Sequence, residues 1–230
     1  MKRLVLCVEG AGDVAAMPAL VGGALMADLP ATHQGALFLD SKPMQVGSIT
    51  QLAGKAESQQ NWTTYLELAK RRKPLGGVLL ILDGDEKEVE EDPFCAVSVA
   101  RLMGERAKAT GAGQLFSVAV VFLRMEYESL LIASYPTLTG HREGVNLPAN
   151  VEEAPRDAKR WLSQHLAGGY RETQHQRPLT REVDFGLLRQ KGVRCFRRLE
   201  HALRELVEAV QSDQHVVSPV PPATGEAPGT

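Results

Sequence analysis

The sequence predicts an α/β fold: a mainly parallel, Rossmann-like sheet flanked by helices, with a C-terminal helical elaboration and a disordered tail. Three observations predict it. Residues 4–8, 78–82 and 115–123 are apolar runs of strand length, as expected of strands buried on both faces. Segments between and after them repeat their apolar residues at helical spacing. Each run also ends close to carboxylates, and open α/β sheets bind ligands beyond the carboxyl ends of their strands.

Composition frames this reading. At 230 residues, 43% hydrophobic and 23% charged, the chain suits one α/β domain with elaborations or two small domains. The expected division is a core over residues 1–136, a helical elaboration packed on it over 137–211, and a tail over 212–230. A net charge of −2 argues against a protein that is basic all over, while leaving room for a local basic groove. Cys7, Cys95 and Cys195 are far apart and in no metal-type spacing, which points to the reducing cytosol. The run after Met1-Lys2-Arg3 is too short for a secretory leader and is cut by Glu9. No stretch approaches the length needed to span a membrane, so no membrane partner is expected.

The first strand, Leu4 to Val8, leads into Glu9 and then Gly10-Ala11-Gly12-Asp13. Val14, Met17, Leu20, Val21 and Leu25 follow on one helical face. Pro18 fits a helix interior badly, so the regular helix is expected to start near Met17 or to bend there. Asp13 reads equally as a helix cap or as a ligand, and one residue can do both. A phosphate-binding loop is set aside: Gly10-x-Gly12 lacks the third glycine and the Gly-Lys-Ser/Thr ending, and two acids there repel phosphate.

Residues 36–39 suggest a short strand, and residues 41–60 are polar without a clear pattern. Asn61 is placed to cap a helix whose inner face is Trp62, Tyr65, Leu66 and Ala69. Lys70, Arg71, Arg72 and Lys73 suit its C-terminal dipole. The buried strand over 78–82 follows and ends in Asp83-Gly84-Asp85. The acidic stretch 86–92 reads as a solvated loop, and a helix follows with Ala96, Ala100, Met103 and Ala107 inside and Gly111 beyond its end.

The strand over 115–123 runs into Arg124-Met125-Glu126-Tyr127-Glu128. Continued extended chain points both glutamates one way; a helix starting at Glu126 points them apart. A short helix is expected around Ala158, Trp161, Leu162 and His165, and no two histidines have the i, i+4 spacing of a metal pair. The last helix carries the stripe Phe196, Leu199, Leu203, Leu206 and Val210, and its basic residues Arg194, Arg197, Arg198 and Arg204 are read as a solvated charged face in preference to a nucleic-acid contact. Four prolines and few large apolar residues mark 212–230 as the disordered tail.

Asp83-Gly84-Asp85 alone is as readily a strand-ending turn as a metal site. Three buried strands that each end in acids shift the balance. Carboxylates gathered at one sheet edge repel one another, and burial raises the cost unless a cation relieves it. Hard ions such as Mg²⁺ or Mn²⁺ prefer such oxygen ligands.

Val8-Glu9-Gly10-x-x-Asp13 followed by Asp83-x-Asp85 resembles the TOPRIM fold of topoisomerases, primases and OLD-type nucleases. Glu126-Tyr127-Glu128, Ala158-Lys159-x-Trp161-Leu162, Tyr170-x-x-Thr173-x-x-Gln176, Asp184 and Cys195-Phe196-Arg197-Arg198-Leu199 extend the likeness. Together they are similar to TOPRIM-like proteins grouped as domain of unknown function 4276. The likeness covers most of the chain to about Val210; His175 departs from it, standing where an acid is expected. The resemblance implies a metal-dependent nuclease acting on DNA or RNA, often encoded beside an AAA- or ABC-type ATPase in defence-like operons. It implies that Asp13, Asp83 and Asp85 are ligands of one or two Mg²⁺ ions, and that Glu9 is a ligand or general base. Glu126 is the favoured third-strand ligand and Glu128 the weaker. Lys159 and Arg124 are the candidates to offset transition-state charge. The competing expectations are a non-catalytic TOPRIM-like subunit of an ATPase complex, and a small-molecule phosphotransferase or phosphatase using the same acids.

Overall fold

The computed structural model describes residues 1–26, 28–31, 33–53, 61–153 and 157–219. Residues 54–60 of the unassigned polar stretch, and 220–230 of the expected tail, lie outside that description, as does the side chain of Leu25.

Leu4 to Val8, all without exposed surface, form the centre of β1 (Lys2–Val8). α1 (Ala11–Pro18) starts almost at once, well before the expected position near Met17. The reason is local. The Gly10 N–H donates to Asp13 Oδ2 at 3.0 Å, so the helix caps itself in its first turn. Pro18 is its last α-helical residue and the chain continues as a π-helix over Ala19–Leu25, so the irregularity expected at the proline takes the form of a change of helix type.

β2 (Leu37–Leu39) and β3 (Met44–Gln45) follow, then α2 (Ile49–Ala53) and α3 (Trp62–Lys70). The Asn61 side chain accepts the Thr64 N–H at 3.0 Å, and Trp62, Leu66 and Ala69 are buried, as expected. β4 (Leu75–Gly84) contains the central apolar run. The acidic stretch after it is not a plain loop: β5 (Glu88–Val89) and β6 (Asp92–Pro93) pair as a small hairpin. Its turn residues Glu90 and Glu91 have φ of 54° and 73°, the left-handed geometry that matches strand twist.

α4 (Ala96–Lys108) leads to β7 (Ser117–Arg124) and α5 (Glu128–Ala133). A 3₁₀ turn over Tyr135–Thr137 precedes α6 (Ala158–His165). α7 (Glu172–Thr180) occupies a polar stretch in which the sequence predicts no element. α8 (Phe185–Gln190), α9 (Arg194–Ser212) and β8 (Val217–Ser218) complete the described chain.

The main sheet has six strands in the order β2-β1-β4-β7-β8, with β3 also beside β1, and every pairing is parallel. Sides of the strands alternate, as pleating requires. Leu4, Leu6, Val8, Leu79, Ile81, Val121 and Leu123 face one core, closed by α1 and the helices from α5 to α9. Val5, Cys7, Val78, Leu80, Leu82, Val120 and Phe122 face the other, closed by α2, α3 and α4. α9 packs against β7 and β4 through the predicted stripe, with Phe196, Leu199, Leu203 and Leu206 buried.

The ordered chain also runs past the boundary expected at 212. Val217 and Ser218 pair with Val118 and Ala119 as an edge strand, both buried, so short apolar content sufficed where a neighbouring strand was waiting. Among the described residues no helix is long and apolar enough to cross a membrane.

Candidate active site

From β1 the chain moves to β2 on one side and later to β4 on the other, so the strand order reverses between β1 and β4. Such a switch point opens a crevice at the carboxyl ends. Val8 lies opposite Ile81, and the two strand ends deliver Glu9 and Asp83 to that crevice. The Asp83 backbone N–H donates to Glu9 Oε2 at 3.2 Å.

β7 lies on the far side of β4, with Asp83 opposite Leu123. After it Met125 adopts φ 63° and turns the chain back over the strand end. Gly84 N–H then donates to the Met125 carbonyl at 3.2 Å, and Tyr127 N–H to Asp83 Oδ1 at 2.9 Å. Gly84 has a steric reason to be glycine: a Cβ there would stand 2.8 Å from the Leu123 carbonyl oxygen.

This turn yields neither of the two arrangements expected for the glutamates. The strand stops at Arg124 and the helix starts at Glu128, leaving Glu126 in the turn and Glu128 in the first helical turn. Glu128, expected to be the weaker of the two, is the more deeply buried. Each carries a buried Oε2 with no hydrogen-bond partner among the described residues. Glu128 Oε1 accepts the Tyr170 hydroxyl at 2.8 Å. Asp85, past the strand end, is exposed.

Asp13 is buried on α1, where Oδ2 holds the Gly10 N–H and Oδ1 accepts from Gln176 Nε2 at 2.9 Å. Asp13 is therefore not the N-cap but the third helical residue, whose side chain holds the N–H of the N-cap Gly10, and its charge acts on Glu9 and Asp83. α7 packs closely on α1, and a Cβ on Gly12 would meet Gln176 Oε1 at 2.1 Å. His175, in place of an acid, turns to its own helix instead, its Nδ1 accepting the Arg171 N–H at 2.7 Å.

The electrostatics follow from burial among like charges. Burial lifts Glu9 to about 7; the Asp83 N–H opposes the rise, and Asp85, Asp13 and Glu86 add to it. Burial, with Asp13, Glu128 and Glu9 beside it, holds Asp83 well above the usual carboxylate range. Burial likewise raises Asp13 against the bonds from Gly10 and Gln176. Glu126 is raised by burial despite Lys159, and Glu128 is lifted to about 7 by burial despite Lys159 and Tyr170. Burial pulls the Lys159 ammonium down, but Glu172, Glu128 and Asp83 outweigh it and hold the proton more firmly than usual. Lys159 Nζ pairs with Glu172 Oε2 at 2.8 Å. Arg124 is exposed, and among the described residues its guanidinium makes no ion pair.

The fold thus brings Glu9, Asp13, Asp83, Glu126, Glu128 and Lys159 into one electrostatic neighbourhood, with Asp85 at its rim and Arg124 opposite Gly84 in the sheet register. As the side chains stand, no three His, Cys, Asp or Glu groups among the described residues converge tightly enough to hold one ion. Glu172 had no signal in the sequence. Gln176 and Tyr170 belonged to the run that carried the resemblance, but their roles depend on partners up to 163 residues away.

A family model described as Domain of unknown function (DUF4276) matches residues 8–204. No curated protein and no solved structure matches the chain.

Proposed function

The chain belongs to the DUF4276 family, and on that premise we propose that it is a Mg²⁺- or Mn²⁺-dependent nuclease of TOPRIM type, hydrolysing phosphodiesters at the carboxyl edge of its sheet. One observation carries the reading. Acids from three adjacent strands share a partly buried crevice, burial makes ionisation of Glu9, Asp83, Glu126 and Glu128 costly, and the last two offer buried oxygens without partners among the described residues. An all-carboxylate donor set of this kind fits a hard divalent cation. Glu9, Asp83, Asp85, Glu126 and Glu128 would hold it, with Asp13 behind them; once bound, it supplies charge neutralisation at the phosphate and activation of water.

The chain's own groups have separable roles in this reading. Glu9, lifted by burial to about 7 when no metal is bound, would serve either as a ligand or as the general base. Lys159 keeps its proton and offers positive charge to a developing phosphorane; it is favoured over Arg124 because it interacts with Glu128 and Asp83. Tyr170 and Gln176 fix the carboxyl orientations of Glu128 and Asp13. A partner ATPase of the AAA or ABC type belongs to the proposal through the family resemblance.

The test is cleavage of plasmid DNA, single-stranded DNA and RNA with Mn²⁺, with chelator, and with Asp83→Asn. Asn keeps the shape and can still accept the Tyr127 N–H, so the variant should fold while cleavage falls about 100-fold or more. Full activity in Asp83→Asn, or cleavage that persists in chelator, overturns the reading. A second reading, a TOPRIM-like sheet serving as a non-catalytic subunit, draws on the lack of tight convergence among the acids. It predicts no cleavage under any of these conditions.

A further inference from the structure

We infer that the cleft on the outer side of α1 seats the phosphodiester backbone of a nucleic acid strand, held by Arg177 and Arg181. The choice of polyanion rests on the nuclease reading above; the location rests on the cleft itself. Its volume is about 520 Å³, and it is lined by Val14, Ala15 and Pro18 of α1, by Ser41 after β2, and by Arg177 and Arg181. The two arginines are four residues apart, one helical turn, so they project side by side. Both are exposed, and among the described residues neither guanidinium has a hydrogen bond or ion pair.

Position makes the cleft more than a basic patch. Val14 and Arg177 each follow directly on a residue of the acid crevice, Asp13 and Gln176, which are bonded to each other. The cleft and the crevice therefore flank the same contact between α1 and α7. Among the described residues no carboxylate lines the cleft. The nearest acid in sequence to Ser41, Asp40, is buried and already neutralised by Arg3 at 2.9 Å and Arg72 at 3.5 Å. A phosphate chain needs cations besides Lys159, which is one charge already paired with Glu172, because the acids repel it. Guanidinium groups meet phosphate oxygens through paired N–H donors, and Ser41 adds a hydroxyl.

The experiment measures binding of a labelled single-stranded DNA, and of the RNA of the same sequence, in Ca²⁺ over a series of salt concentrations. Arg177→Gln with Arg181→Gln should weaken binding at least tenfold. It should also make the slope of log affinity against log salt shallower by about 1.4, or 0.7 for each lost phosphate contact. Arg→Lys at both positions should restore most of the slope, because the charge remains. Calorimetric Mn²⁺ binding should be unchanged in all variants, which separates this cleft from the acid site. Equal binding and slope in wild type and the Gln variant overturn the inference, even if the enzyme cleaves. So does a lower melting temperature with unaltered binding, which would make the arginines mere complements to the α7 dipole. Binding of inorganic phosphate or a mononucleotide without binding of either strand also overturns it. Strand binding that depends on both arginines supports it even in a protein that fails to cleave.

Discussion

At the scale of single residues, Glu9 and Glu128 make the clearest statement about pH. Both stand at about 7 in the folded chain against an ordinary 4.5, chiefly through burial. A carboxyl group with a raised folded pKa binds its proton more tightly folded than unfolded. Its stabilising contribution is complete below the unfolded value and is lost as pH rises through the folded one. The metal-free protein should therefore lose stability from about pH 5 to about pH 8, and Glu9→Gln with Glu128→Gln should flatten that fall. Thermal melts across the range decide it: parallel curves for wild type and variant would remove the two glutamates from the account. Asp83→Asn should leave the metal-free protein as stable or more so, since it removes a repelled charge while keeping the acceptor for Tyr127.

At the scale of elements, close approach and edge pairing matter most. Gly84 lets β4 and β7 meet where the crevice begins, and Gly84→Ala drives a methyl group into the Leu123 carbonyl. The clash is with backbone, which cannot swing aside, so a loss of about 1–3 kcal/mol is expected in denaturant titrations. A variant as stable as wild type would show that the strand ends part freely. β8 makes the second case. Val217 buries its side chain, and Ser218 accepts from Arg198 at 2.6 Å while donating to Glu205 at 2.5 Å. Ending the chain after Gln211 removes these contacts and uncovers the edge of β7, at a cost of about 2 kcal/mol. An unchanged melting temperature would return these residues to the dispensable tail that the sequence suggests.

At the scale of the whole molecule, the two cores clamp a parallel sheet from both faces and leave its carboxyl edge as the place where charge collects. The cost of that edge should be visible globally. Mn²⁺ or Mg²⁺ that binds only the folded chain adds stability by mass action, about 2.7 kcal/mol at a hundredfold excess over Kd. The melting temperature should rise with added metal, fall back with chelator, and respond much less in Asp83→Asn. Calorimetry without a binding isotherm at millimolar metal, combined with a flat melting temperature, would separate this edge from metal chemistry altogether.

The three buried strands, the capped helix after Asn61 and the stripe of α9 were determined by the sequence itself, because burial on two faces and on one helix face leaves periods of composition that survive in one dimension. The strand ends likewise marked Glu9, Asp13, Asp83, Asp85, Glu126 and Glu128, since each acid sits within a few residues of an apolar run. Tertiary structure alone decided how those acids face one another. The left-handed turn at Met125 buried Glu128 more deeply than Glu126, and a polar helix brought Glu172 to Lys159 and Gln176 to Asp13. A polar stretch has no apolar period to announce it, and a hydrogen bond across 163 residues leaves no trace in local spacing. The same holds for β8, whose two residues become a strand only because β7 offers them an unpaired edge.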